Sequence, residues 1–377
     1  MSKQLNLKQT PTLDLWLCGA VLTLLTIGLV MVYSASVFEG RSYGDPQYFI
    51  RRQLIFAGLG VCLVAALVRI PTEFFQKNAV AFALLALVLC ILVLVPGIGK
   101  VVNNSRRWID LGFARFQVSE FAKLALIFFM AAACARRNSR GLTNTKSLVV
   151  PFLLTLIPIG FIYLEPDLGT PLVICAILMV ILLVAGLKWR VFFGLVLFFA
   201  PIGWHSIFST GRAKRVFAFL DPWGNQTESG FQLTNTIIAI GSGGRSGLGL
   251  GKSKQSFFLP EAHTDFIFAI LAETLGFIGV VFFVTTCVVL VFRCVRIAMR
   301  APNLFTVYLA TGITAMLSIP MIFNMAVATG LLPTKGLALP FTSYGGSHLL
   351  ISMVGIGILL RIHLESEGGR DLVEAEA

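Results

Sequence analysis

The 377 residues are 56% hydrophobic and only 13% charged, with a mean hydropathy of +0.86, a composition that excludes an ordinary soluble enzyme. Apolar stretches of about 17 to 25 residues recur along nearly the whole chain, which predicts an all-α integral membrane protein rather than a barrel of short alternating strands. Despite a formal net charge of +12, the expected partners are membrane lipids and membrane-borne molecules, with no nucleic acid among them. The seven cysteines (Cys18, Cys62, Cys90, Cys134, Cys175, Cys287 and Cys294) lie in or beside the apolar stretches, without disulfide or metal-site spacing. No organic cofactor is indicated, and the residues leave a divalent cation such as Mg open.

In chain order, about ten spans are predicted within a single polytopic membrane domain, residues 1–377. A short basic tail, Met1 to Thr12, precedes a first span from Leu13 to Val37, which is too long for a signal-peptide core and is read as retained. The loop 41–52 leads through Arg51-Arg52-Gln53 into a second span ending near Ile70, and the third covers Asn78 to Val95. A polar loop from Pro96 to Gln117 separates it from the fourth span, Val118 to Ala135, and the fifth runs from Leu148 to Leu164. After the break at residues 165–170 come a sixth span, to Gly186, and a seventh, Val191 to Phe208. The longest polar insertion, Ser209 to Thr264, precedes the eighth, which begins at Asp265; the ninth runs from Leu304 to Leu331. A turn-rich loop, Pro333 to Gly346, leads to the tenth, which ends at Ile362 before an acidic tail over 363–377.

An even number of spans puts both termini on one side. Basic residues in the short loops, among them Lys3, Lys8, Arg69, Lys77, Arg136, Arg137, Arg140 and Arg370, favour cytoplasmic termini, so the 209–264 insertion is expected outside. Arg41, Arg51, Arg52, Lys100, Arg106, Arg107, Arg115 and Lys335 then lie outside too, against the usual bias. Two readings stand for Arg51 and Arg52, an anionic ligand or lipid phosphates reached by snorkelling; for Arg106, Arg107 and Arg115, together in one loop, the ligand is favoured.

The stretch from Phe257 to Phe277, FFLPEAHTDFIFAILAETLGF, carries a polar loop straight into a membrane-length apolar helix. Asp265 sits at the junction with Glu261 and His263 beside it, placed either to cap the helix or to do proton chemistry on an interfacial substrate. Glu120 and Lys123 lie one turn apart in the fourth span, and Arg115 joins their face if that helix starts early. Charges inside a membrane helix cost about 2.5 to 3.5 kcal/mol each on insertion scales, so the pair is a functional candidate, with a structural ion pair as the alternative. Glu165 and Asp167 flank a proline and are read as a tight outer turn in preference to a cavity wall. Gly241 to Ser253, GSGGRSGLGLGKS, is not a nucleotide-binding loop, because Ser246 stands where the pattern needs glycine; flexible backbone or a nest for a pyrophosphate is expected.

Five ordered blocks then agree: SRRWIDLGFARFQVSEFAKL from Ser105, EPDLGT from Glu165, DPWGNQTESGFQLTNTIIAIGSGG from Asp221, GKSKQSFFLPEAHTDFIFAILAETLGFIG from Gly251, and ATGLLPTKGLALPFTSYGGSHLL from Ala328. Over essentially its whole length the chain resembles the SEDS family (shape, elongation, division and sporulation). Leu332-Pro333-Thr334-Lys335-Gly336 is similar to the division branch, since the elongation branch usually has an apolar pair after that proline. Two positions depart from the pattern: Thr274 replaces a second acid, and His348 replaces a small residue.

The resemblance implies a ten-span glycosyltransferase of the bacterial cytoplasmic membrane. It would polymerise lipid II, the undecaprenyl-pyrophosphate-linked disaccharide-pentapeptide, into glycan strands at the division septum. It also implies partnership with a single-span class B penicillin-binding transpeptidase and other division membrane proteins. The family aspartate falls on Asp265, the family basic positions on Arg115 and Lys123, and the paired acid on Glu120. A sugar hydroxyl needs a base within about 3 Å, and Asp265 is the candidate. The leaving pyrophosphate needs countercharge, for which Arg107, Arg115 and Lys123 are candidates. Glu261, His263, Lys335, Ser343 and Gly345 complete the substrate-binding set, and a single displacement on an α-linked donor inverts to a β linkage. A lipid II flippase and a non-catalytic scaffold recruiting the transpeptidase are the alternatives.

Overall fold

Asp14 starts the bundle. Its Oδ1 accepts the Leu17 N–H at 3.0 Å, satisfying an unpaired donor of the first turn, while its Oδ2 accepts Arg293 Nε at 2.9 Å from a helix 279 residues away. In this computed structural model the described residues are 12–376, without 43, 103–104, 111, 113, 140–145, 166, 168, 210–212 and 225–227; for 38–42, 202–209, 213–214, 228–229 and 369–376 only the backbone is described. The basic tail up to residue 11 and the side chains of Arg41, Arg140 and Arg370 therefore lie outside the described residues.

The helices are α1 (Leu15–Ser42), α2 (Tyr48–Leu67), α3 (Thr72–Lys77), α4 (Ala79–Leu94), then, after three strands, α5 (Val118–Ser139), α6 (Lys146–Tyr163), α7 (Gly169–Val184) and α8 (Trp189–Ser209). They continue as α9 (Ala213–Leu220), α10 (Glu228–Ser242), α11 (Ile267–Arg300), α12 (Leu304–Ala328) and α13 (Gly346–Glu376). Among the described residues seven helices, α1, α2, α5, α6, α11, α12 and α13, are long and apolar enough to cross a membrane. Three shorter apolar helices, Ala79–Leu94, Gly169–Val184 and Trp189–Pro201, stand where the third, sixth and seventh spans were expected. The centre of the bundle is α5 and α12, buried along most of their length, and alanine on α5 lets its neighbours approach closely. The helices α2, α4 and α8 keep apolar side chains such as Leu59, Val88 and Phe198 exposed, as a lipid-facing surface requires.

Several expected loops are ordered structure. Within 96–117 the chain forms a three-stranded antiparallel meander, β1 (Gly99–Val102), β2 (Ser105–Asp110) and β3 (Arg115–Gln117), with Lys100 opposite Trp108 and Asp110 opposite Arg115. The 209–264 insertion is not a loop throughout: α9 and α10 lie within it, and α10 packs on α11 and α12. The helix α13 runs beyond Ile362 to Glu376, where a tail was expected.

The eighth span is broken. Gly276, at φ 67 and ψ −169, interrupts α11, a conformation open to glycine and strained for other residues. The glycine-rich stretch fills the break: Leu248 N and Gly249 N donate to the Glu273 and Thr274 carbonyls at 2.9 and 3.1 Å, and Phe277 N donates to Gly244 O at 2.9 Å. Buried Glu273 accepts Ser253 Oγ at 2.5 Å and Lys254 N at 2.9 Å. This corrects the expectation of a flexible loop or pyrophosphate nest, because those amides are used in holding the kink.

Loops segregate to the two ends of the bundle. At one end Ser343 Oγ donates to Thr264 O at 2.5 Å, and Gln117 N donates to Ser347 Oγ at 3.0 Å. At the other, Thr72 Oγ1 donates to Glu365 at 2.6 Å and Arg361 donates to Val68 O at 3.3 Å.

Candidate active site

The first end carries a cavity of about 260 Å³. Its wall includes Asp265, Glu261, Pro260 and Phe266 from the turn before α11, Ser105 and Arg107 from β2, and Asp167 from the α6–α7 connection. Thr334, Lys335 and Gly336 enter from the α12–α13 loop, Arg215 from α9 and Gln232 from α10.

Asp265 does not cap α11. The residue before the helix is Phe266, no side chain caps it, and the Asp265 carboxylate makes no hydrogen bond among the described residues, so the capping alternative is overturned. The backbone is fixed instead: Asp265 N donates to Glu261 O at 3.1 Å, and buried Asn324 donates its amide to both Asp265 O, at 2.8 Å, and Leu337 O, at 2.7 Å. The carboxylate lies against Gly336, where an added methyl would meet Asp265 Oδ2 at 1.9 Å, so the 333–346 loop needs glycine at that point. Burial, and then the Glu261 charge, push the Asp265 pKa up to about 6 against the pull of Arg107, Lys335 and His263. It is ionised at neutral pH and is a stronger base than an ordinary carboxylate.

Asp167 is the hub of the opposite wall. Its Oδ2 accepts Arg107 at 2.8 Å and Thr170 Oγ1 at 2.8 Å, and its Oδ1 accepts Lys335 Nζ at 2.9 Å and Gly169 N at 3.0 Å. Burial raises its pKa, but Lys335 and Arg107 outweigh that and hold the carboxyl well below the usual range. The tight-turn reading of Glu165 and Asp167 is thereby corrected, since a turn alone would leave these carboxylates in water. Glu165 is fully buried, neither oxygen has a hydrogen-bond partner among the described residues, and burial followed by the Asp167 charge pushes its pKa up to about 8. Glu165 therefore keeps its proton in the fold at pH values where the unfolded chain has lost it, so its contribution to stability is present below 4.5 and lost as pH rises through about 8. Thermal unfolding of Glu165→Gln should match wild type near pH 5, exceed it by a margin that grows up to about pH 8, and hold that margin above it; a margin independent of pH would contradict the buried acid.

The other expected site residues separate into those that hold the site and those outside it. His263 is buried, with its ring 4.5 Å from Phe49 and 5.3 Å from Tyr344, and does not line the cavity. Ser343 Oγ accepts Leu339 N at 2.8 Å and holds Thr264, and Gly345 N donates to buried Gln53 at 3.3 Å. These three brace the Asp265 turn and do not line the cavity. Arg115 is exposed at the start of β3 and stays off the Lys123 face, because the strand runs to Gln117 and α5 starts only at Val118. Glu120 and Lys123 pair at 2.9 Å inside the bundle, and His348 Nδ1 lies 3.1 Å from Glu120 Oε2. They line a small pocket with Thr170, apart from the Asp265 cavity. The His348 departure thus falls on the Glu120 carboxylate, whereas buried Thr274 leaves its hydroxyl without a partner among the described residues, for which the packing offers no reason.

The sequence reading missed Arg215, Gln232, Ser105 and the Asn324 tether. Gln232 and Ser105 lie inside blocks that carried the resemblance, so position in those blocks was the available signal. Among the described residues no group of three or more His, Cys, Asp or Glu could hold a metal ion.

A model of the cell cycle protein family of FtsW, RodA and SpoVE matches residues 15–368. The chain belongs to this family. It is 44% identical to a probable peptidoglycan glycosyltransferase FtsW of Coxiella burnetii, over 94% of this chain and 97% of that one. Against the Legionella pneumophila protein of the same name the identity is 41%, over 94% and 91%. Among solved structures, a chain described under the structural coordination of polymerization and crosslinking by a peptidoglycan synthase complex matches with a TM-score of 0.77 at 29% identity, covering 94% of this chain and 98% of that one. The rod shape determining protein RodA of Thermus thermophilus matches with 0.69 at 29% identity, over 93% and 97%. The polytopic FtsW, RodA and SpoVE fold is therefore this chain's fold, and the SEDS resemblance holds.

Proposed function

We propose that this chain is a peptidoglycan glycosyltransferase that polymerises lipid II at the outer face of the bacterial cytoplasmic membrane during division. The observation that carries the reading is a half-buried, unbonded Asp265 carboxylate sharing a cavity with Arg107 and Lys335. Asp265 takes the proton of the attacking sugar hydroxyl as the new bond forms at the anomeric carbon. The bond to the lipid diphosphate breaks on the opposite side, inverting that carbon, and the cation cluster stabilises the charge gathering on the leaving group. Ten crossings with cytoplasmic termini put the cavity outside, where the substrate headgroup is displayed. Its partner is a single-span class B penicillin-binding transpeptidase at the septum, in keeping with the synthase complex among its structural neighbours.

A flippase would need a charged path between the two ends of the bundle. The interior charges at Glu120 and Lys123 are instead satisfied by each other and by His348. Labelled lipid II added to the purified protein in liposomes separates the readings: glycan strands are the expected product, whereas leaflet exchange without strands would make the protein a transporter.

A further inference from the structure

Three cations line the Asp265 cavity, and they are not equivalent. Arg107 and Lys335 each donate to Asp167, at 2.8 and 2.9 Å, so their charge is already shared with a carboxylate even though each keeps further donors for a phosphate. Arg215 makes no hydrogen bond or ion pair among the described residues, and its side chain is exposed where it reaches the cavity wall. It is also the one cation contributed by the 209–264 insertion, on the short helix α9. On that helix Phe217 and Leu220 are exposed, as is Trp223 just beyond it, an apolar and aromatic edge suited to the depth of lipid headgroups. A guanidinium beside such an edge meets a diphosphate that is itself anchored by a lipid tail, and its planar fork can take two phosphate oxygens at once.

Resting on the polymerase reading above, we propose that Arg215 anchors the diphosphate of the lipid-linked sugar donor, while Arg107 and Lys335 stay tied to Asp167. The contact exists before reaction, since the diphosphate is already charged, so it strengthens substrate binding more than the chemical step.

The test uses the purified full-length protein with Arg215→Ala and Arg215→Lys. In lipid II polymerisation Arg215→Ala is expected to raise KM by ~10-fold or more with kcat within about threefold of wild type, and Arg215→Lys to recover part of the loss. Binding of fluorescent undecaprenyl diphosphate in micelles, competed with inorganic pyrophosphate, reads the same contact without turnover. Here Arg215→Ala should bind ~10-fold more weakly, and pyrophosphate should displace the lipid only at large excess. Equal lipid-diphosphate affinity in wild type and Arg215→Ala overturns the assignment, as does displacement by equimolar pyrophosphate, which would mark a site for free phosphate. A wild type that makes no strands but shows the binding difference overturns the polymerase reading and supports the Arg215 contact.

Discussion

Asp265→Asn is expected to lower glycan polymerisation at least ~100-fold while the protein still folds, inserts and binds lipid II. The substitution keeps the side chain's size and both backbone bonds of residue 265, to Glu261 O and from Asn324. Because the Asp265 carboxylate neither caps α11 nor accepts a hydrogen bond among the described residues, nothing structural is removed with its charge. What disappears is a carboxylate with a pKa of about 6, poised to hold a proton transiently at neutral pH. Strand synthesis by the purified variant, with thermal unfolding as the control, measures both halves of this expectation. Near-normal synthesis would pass the role of base to Glu261, the nearby carboxylate in the same cavity.

Asp167→Asn should produce the largest loss of stability among the cavity residues. The asparagine oxygen can still accept from Gly169 N, and the Thr170 hydroxyl, which meets the other carboxylate oxygen, can turn to accept from the new amide, so the local turn is kept, but Arg107 and Lys335 lose their shared counter-charge. Two charge-assisted hydrogen bonds at about 1.5 kcal/mol each give an expected destabilisation on the order of 3 kcal/mol. The β2 segment and the 333–346 loop, both tied to Asp167, should loosen together, so hydrogen exchange should rise in both and polymerisation should fall ~10-fold or more as the cations lose their placement. Loosening of one segment alone would show that Asp167 does not join them.

The fold was readable wherever long apolar runs met a polar break, because lipid leaves a spanning segment few alternatives to helix. Thus α5 begins at Val118 and α12 at Leu304, as their sequences predict. What local pattern did not reveal depends on partners distant in sequence. The kink at Gly276 requires Gly244 and Leu248 on the other side of it, and the β1–β3 meander is too short and polar to announce itself by alternation. Asp265 and Lys335 were legible as charges in unusual places. Asp167 was not, since Glu165-Pro166-Asp167 looks like any exposed turn until Arg107, 60 residues earlier, and Lys335, 168 residues later, meet it. His263 and Ser343 were drawn into the site by proximity to Asp265 along the chain, but their side chains support the loop from behind.

If Asp265 is the base of a polymerase, the pH dependence of lipid II polymerisation by the purified protein carries its signature. A carboxylate with a pKa of about 6 is protonated in acid, so kcat/KM should rise with pH through about 6, lie ~10-fold below its plateau at pH 5, and level off above about pH 7. Strands formed at the same rate from pH 5 to 8, or no strands at any pH, would contradict that role for Asp265.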